Sequence, residues 1–256
     1  MEQSAMSGHS KWSTIKRKKG AEDAKRGKIF TRLARDITVS AREGGGDENA
    51  NPKLKLAVTK ARANNMPKDN IERAILRGTG GGEGAEALEE ITYEGYGPDG
   101  VAYLVDVITD NKNRTLAEVK RVFNRAGGSL AAAGSVAWQF DKKGYIALKG
   151  ENLDFEEVFM VAAEAGAEDV ASEDDIIVVF TPRELFAAVE TALTEANYEV
   201  DESELRWVAK NETELPTEKA IQNMRLLEQF EELDDVDSVA SNLLITDELV
   251  AAFEAA

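Results

Sequence analysis

Five cations stand at Lys25, Lys28, Arg32, Arg35 and Arg42. At about 100° per residue they share one arc of about 100° on a helix. A ridge of this kind can follow a line of phosphates, each contact releasing counterions. Upstream lie Lys11, Lys16, Arg17, Lys18 and Lys19, with Trp12 and the single histidine, His9, among them. An indole among cations can stack on an unpaired base. His9 has no carboxylate near it in sequence and suits a phosphate contact better than a catalytic base. The competing reading is a solvated basic face, with Trp12 packing the arm onto the domain behind it. A second candidate contact is Thr109–Thr115, where a strand enters a helix and free N–H groups can hold an anion. It contains Asp110, Asn111, Lys112, Asn113 and Arg114, and Arg121 and Arg125 project onto the same face as Arg114. Alternatively, Asp110 and Asn113 cap the helix and the arginines pair with nearby carboxylates.

The charge balance separates these cations from the rest of the chain. Net charge is −17, yet residues 7–80 hold 18 Lys/Arg against 8 Asp/Glu. Residues 81–150 hold 8 against 10, and residues 151–256 hold 5 against 29. A basic head on an acidic body implies a polyanionic partner for the head alone.

Composition removes several kinds of chemistry. The chain has no cysteine and one histidine, so thiol nucleophiles, Cys-ligated metals and a Ser–His triad are not expected. No Gly-x-Ser-x-Gly elbow occurs. The nearest approach to a phosphate-binding loop, Gly20 to Gly27-Lys28, has the wrong spacing and ends in Ile29. Glu173-Asp174-Asp175 reads as a solvated turn. No catalytic residue, cofactor or metal is therefore expected. No apolar run approaches the length of a membrane span and no secretory leader is visible, so a cytoplasmic protein with no membrane partner is expected.

Elements must hold the cations in place. Ile29, Leu33, Ile37 and Ala41 recur every four residues and predict a helix over 22–43. Asn51-Pro52 opens a second helix. Asp69 and Glu72, spaced as a capping box, open a third. The domain 7–80 is thus expected as a basic three-helix bundle, with 81–84 a Gly-rich linker. Beyond it the pattern alternates. Strands are expected at 90–94 and 101–108, a helix at 114–126, and strands at 135–140, 145–148, 168–171 and 176–180. Helices at 154–165, 182–196, 217–233 and 246–255 complete the pattern, with strands near 204–209 and 236–240. The fold class is α+β: a helical bundle followed by two small ferredoxin-like α/β domains. One of them, 134–202, is expected as an acidic insert in the other, 85–133 with 203–256.

Several segments together resemble one family. Gly8-His9-Ser10-Lys11-Trp12 and Lys25-Arg26-Gly27-Lys28-Ile29-Phe30 look like the opening of the YebC family. Tyr93-Glu94-Gly95-Tyr96-Gly97-Pro98, Thr109–Thr115, Gly134-Ser135-Val136 and Trp138-x-Phe140 match its central motifs. The resemblance spans nearly the whole chain from Met6. It implies a helical domain plus two α/β domains. It also implies a role in gene expression: members are labelled transcriptional regulators that bind DNA, and others are linked to translation, the ribosome and relief of stalling. The expected function is therefore a non-enzymatic nucleic-acid-binding regulator, with structured RNA on the ribosome (ribosomal RNA or tRNA) preferred as partner. A DNA-binding transcriptional regulator is the alternative, and a metal-dependent phosphodiesterase carries little weight. No helix-turn-helix reader is visible.

Overall fold

The computed structural model describes residue 12 and residues 23–80, 88–150, 153–173 and 176–255, the side chains of 23–28 and 173 excepted. The expected linker 81–84 lies outside the described residues.

The first three helices are α1 (Asp23–Gly44), α2 (Pro52–Ala63) and α3 (Lys68–Gly78). Leu33, Ile37 and Ala41 of α1 pack with Leu54, Ala57, Val58 and Ala61 of α2 and with Ile71 and Ala74 of α3. Asn51 caps α2 as expected, accepting the Leu54 N–H at 3.1 Å. Its Nδ2 also donates to the carbonyl oxygens of Ser40 and Gly45 at 2.8 Å each, which fixes the α1–α2 turn. The capping box expected at Asp69 and Glu72 does not form. Pro67 is the N-cap residue and gives no side-chain bond, because its ring carries no polar side-chain atom. Helices α1 and α3 approach closely enough at Gly78 that a Cβ there would lie 2.3 Å from the Thr38 carbonyl oxygen.

The next part is an antiparallel hairpin of β1 (Glu89–Tyr96) and β2 (Ala102–Thr109), then α4 (Lys112–Arg125) and the short β3 (Ser129–Leu130). The expected strand at 135–140 is instead a 3₁₀ turn over Ala137–Gln139, and β4 (Phe140–Lys149) starts after it. The alternation of Val136, Trp138 and Phe140 that suggested a strand comes from a turn held by side-chain bonds described below. Next come α5 (Phe155–Glu164), β5 (Asp169–Glu173), β6 (Ile176–Pro182), α6 (Phe186–Glu195) and β7 (Val200–Ala209). The chain ends in α7 (Thr217–Glu231), β8 (Val236–Ser241) and α8 (Asp247–Glu254).

The strands form two four-stranded sheets, ordered β3-β1-β2-β8 and β5-β6-β4-β7. The second is the split βαββαβ arrangement. By contacts the chain divides into two compact units: Asp141–Val208, and Ser7–Phe140 with Ala209–Ala256. The fold class is thus α+β, with an N-terminal helical region and two sheets. Nearly every residue of β2 is buried, because β1 and β8 flank it and α4 and α7 supply the core on its covered face. That core contains Tyr103, Val105, Phe123, Met224, Leu227 and Phe230. Residues Tyr145, Ala147, Val178 and Phe180 form a core in the other unit.

Candidate nucleic-acid interface

His9, Lys11, Lys16, Arg17, Lys18 and Lys19 lie outside the described residues. So do the side chains of Lys25 and Lys28, whose backbone belongs to α1. Trp12 is described, and it is 2% exposed. Its ring meets Phe253 edge-on at 5.9 Å and its Nε1–H donates to Glu231 Oε1 at 3.0 Å. The indole packs against α8 and has no open face for a base.

The three described arginines of the expected ridge bond protein acceptors, Arg32 and Arg35 half-buried and Arg42 exposed. Arg32 Nη2 donates to the Leu233 carbonyl at 2.9 Å and also bonds the Glu231 carbonyl. Burial pulls its guanidinium below the usual arginine range, offset by Glu231, Asp237 and Asp234. Arg35 Nη1 donates to the Asp234 carbonyl at 2.9 Å and to Asp235 Oδ1 at 2.7 Å. Arg42 Nη1 reaches the Leu88 carbonyl at 2.9 Å. The ridge therefore docks α1 on the α7–β8 turn and on the start of β1. Its helical periodicity is correct, but partners two hundred residues away leave no mark in the local pattern.

The same turn explains Thr109–Thr115. Asp235 is buried, and its Oδ2 accepts from Thr115 Oγ1 at 2.6 Å, Arg114 Nη2 at 2.7 Å and Thr109 Oγ1 at 3.2 Å. Burial pushes this carboxyl up, but Thr115, Arg114 and Arg35 hold it below its ordinary value. The helix cap is Asn111, which accepts the Arg114 N–H at 3.1 Å. Asp110 pairs with Arg114 at 2.7 Å instead of capping, and Lys112 pairs with Glu89. Asn113, Arg121 and Arg125 are exposed. The segment thus splits: Arg114 belongs to the latch on Asp235, while Arg121 and Arg125 face solvent.

Two features carried no signal in the periodicity. One is an open groove of about 470 Å³ between α1, α3 and the start of the hairpin. Phe30, Ala34, Met66 and Ala74 give it an apolar floor, and Arg35, Arg73 and Arg77 line it with Asn70 and Asp110. Arg73 and Arg77 are exposed and one helical turn apart. Like charges so placed repel modestly on a helix unless an anion lies between them. The other feature is Trp138, 67% exposed. Its turn is gripped by buried Glu94, whose carboxylate accepts the N–H groups of Gly134 at 2.6 Å, Val136 at 2.7 Å and Ala137 at 2.9 Å. Burial would raise the Glu94 pKa, but these bonds outweigh it and hold the carboxyl low. Gly95 is needed beside it, because a Cβ would meet the Phe123 ring at 2.4 Å. Among the described residues no cluster of three His, Asp or Glu is placed to hold a metal ion. Among them, too, no helix is long and apolar enough to cross a membrane.

Comparison with known proteins adds names to this geometry. The family model described as the TACO1/YebC protein N-terminal domain matches residues 10–81, and that of the TACO1/YebC second and third domain matches residues 88–243. A probable transcriptional regulatory protein of Desulforapulum autotrophicum is 51% identical over 247 residues, which is 96% of this chain and 100% of that one. A protein of the same description from Geobacter sulfurreducens is 50% identical, covering 95% of this chain and 98% of the relative. The crystal structure of a conserved hypothetical protein from Aquifex aeolicus superposes with a TM-score of 0.82 at 40% identity. That match covers 88% of this chain and 93% of the other.

Proposed function

The chain belongs to the TACO1/YebC family, and on that premise we propose that it is a nucleic-acid-binding regulator of gene expression that takes structured RNA as its partner and acts in translation. The observation that carries this is the cationic groove with an apolar floor. A flat base can lie against Phe30 and Met66 while its phosphates reach Arg73 and Arg77, the arrangement used for unpaired nucleotides. Trp138, held out by the Glu94 turn, offers a second stacking surface. Arg121 and Arg125 extend the cationic contact on α4. Lys11, Lys16, Arg17, Lys18, Lys19, Lys25 and Lys28 complete the basic head in this reading. The acidic excess of residues 151–256 repels phosphate.

A duplex reader would need an exposed recognition element, and α1 commits Arg32 and Arg35 to acceptors of the α7–β8 turn. Binding to DNA as a transcriptional regulator is the second reading, favoured by the description of the relatives as probable transcriptional regulatory proteins. Salt-dependent binding of the full chain to a structured RNA with unpaired loops, and to duplex DNA, separates the two. RNA should bind more tightly, and Arg73→Glu with Arg77→Glu should weaken it at least tenfold. The double variant should also flatten the log–log salt dependence by about one unit or more. Equal or tighter binding to duplex DNA favours the second reading. An unchanged RNA affinity and salt slope in the double variant removes the groove from the interface.

A further inference from the structure

The unit Asp141–Val208 holds 5 Lys/Arg against 18 Asp/Glu. Its helix α5 nonetheless leaves large apolar side chains in solvent. Phe155 is 39% exposed, Phe159 47% and Met160 60%. The two phenyl rings, one helical turn apart, lie stacked with centroids 6.3 Å apart. The same helix turns Val158 and Ala162 fully inward, so the exposed residues are surplus to its own core. Leu185, at the entry to α6, is 40% exposed. Apolar side chains clustered on a soluble surface mark contact sites more often than scattered ones do.

The charges bordering this patch limit what can cover it. Helices α5 and α6 carry Glu156, Glu157, Glu164, Glu190 and Glu195 and no Lys or Arg. Asp154 caps α5 and Glu184 precedes Leu185, with Arg183 the cation on that side. Phosphate would be repelled here, so the nucleic acid bound by the head does not suit this face. An aromatic and thioether centre inside an acidic rim suits a protein surface with the inverse pattern: aliphatic residues flanked by lysine and arginine. We infer that the α5 face of the inserted unit docks a basic amphipathic segment of a partner protein through Phe155, Phe159 and Met160. Binding at this face is independent of nucleic-acid binding by the head, and the adaptable Met160 side chain fits an aliphatic contact.

The full chain is titrated with an 18-residue amphipathic Leu/Lys peptide, and separately with its Leu/Glu counterpart. Fluorescence anisotropy of the labelled peptides reads the affinity. The Lys peptide should bind and the Glu peptide should not. Phe159→Ser with Met160→Ser should weaken the Lys peptide at least tenfold while leaving RNA affinity and the circular dichroism spectrum unchanged. A spin-labelled Lys peptide should broaden the Met160 methyl signal of the unsubstituted chain, a result that stands even if the double variant unfolds. Equal binding by the folded double variant, equal binding of the Glu peptide, or an unbroadened Met160 methyl overturns the proposal. So does sedimentation showing that the double variant turns an oligomer into a monomer, since a second copy is then the occupant.

Discussion

Two aspartates show how much surroundings decide what one side chain does. Asp235 sits among donors and is held low, whereas Asp36 is pushed up to about 7 by burial first and by Asp237 next, with Lys60 and Lys53 opposing. Their effects on folding have opposite sign. Asp235, depressed in the folded chain, contributes stability above its unfolded pKa and loses it as pH falls through the folded value. Asp36, raised in the folded chain, contributes stability below its ordinary value of 3.8 and loses it as pH rises through about 7. Asp36→Asn removes the second effect. The variant should gain melting temperature relative to the parent as pH rises from 4 to 7, and the gain should be constant above that. Allowing for the partial exposure of Asp36, the gain at pH 8 should be on the order of 1–2 kcal/mol. Thermal melts of both proteins across this range check it. A pH-independent difference would place the effect in packing.

At the scale of elements, Arg35 of α1 and Arg114 of α4 converge on one carboxylate in the α7–β8 turn. Asp235→Ala leaves both guanidinium groups, and Thr109 and Thr115, without it. Arg114 is 44% exposed and keeps Asp110, so the loss is that of the buried hydrogen bonds, about 1–3 kcal/mol. The urea midpoint should fall accordingly, and a double-mutant cycle with Arg35→Ala should show strong coupling. Additive effects would mean that the helical region and the sheet are joined elsewhere. This latch also marks where sequence reading stops. Helices with a clear apolar stripe, such as α1 and α2, were legible because period and caps are local properties. The Trp138 turn was not, since three alternating bulky residues look the same in a strand and in a turn gripped by Glu94 from forty residues upstream. The basic face of α1 was legible as a face, but its direction was not. Arg32 and Arg35 point at carbonyls whose positions depend on the whole fold. Arg73 and Arg77 gave no warning because Phe30 and Ala34 of the floor beneath them come from another helix.

At the scale of the whole molecule, the acidic excess and the cationic head are carried by separable parts. The Lys210 N–H donates to the Gln139 carbonyl at 2.8 Å, so the chain ends flanking 141–208 meet. A short Gly/Ser linker in place of residues 141–208 should therefore leave the remaining unit folded, with its melting temperature changed by a few degrees only. It should keep RNA affinity, or raise it at low salt, because 18 acidic residues leave with the segment. Circular dichroism and filter binding check this. Loss of RNA binding by a folded deletion variant would give the acidic unit a direct part in the interface.

The ribosome makes this chain from one end, and the insertion then imposes an order of events. Strand β2 is complete at Thr109, but its neighbour β8 begins at Val236. Asp235 emerges 200 residues after Arg35 and 121 after Arg114. Throughout that interval the nascent outer sheet has an open edge of buried-type residues, while the inserted unit emerges in full and can fold first. An open edge of that kind invites pairing with other chains. Translation that stops between 209 and 235 therefore yields a fragment with a finished insert and an unfinished sheet, a product suited to aggregation or to capture by chaperones. Correct assembly of the basic head onto the sheet is a late step, taken only when the last fifth or so of the chain is out.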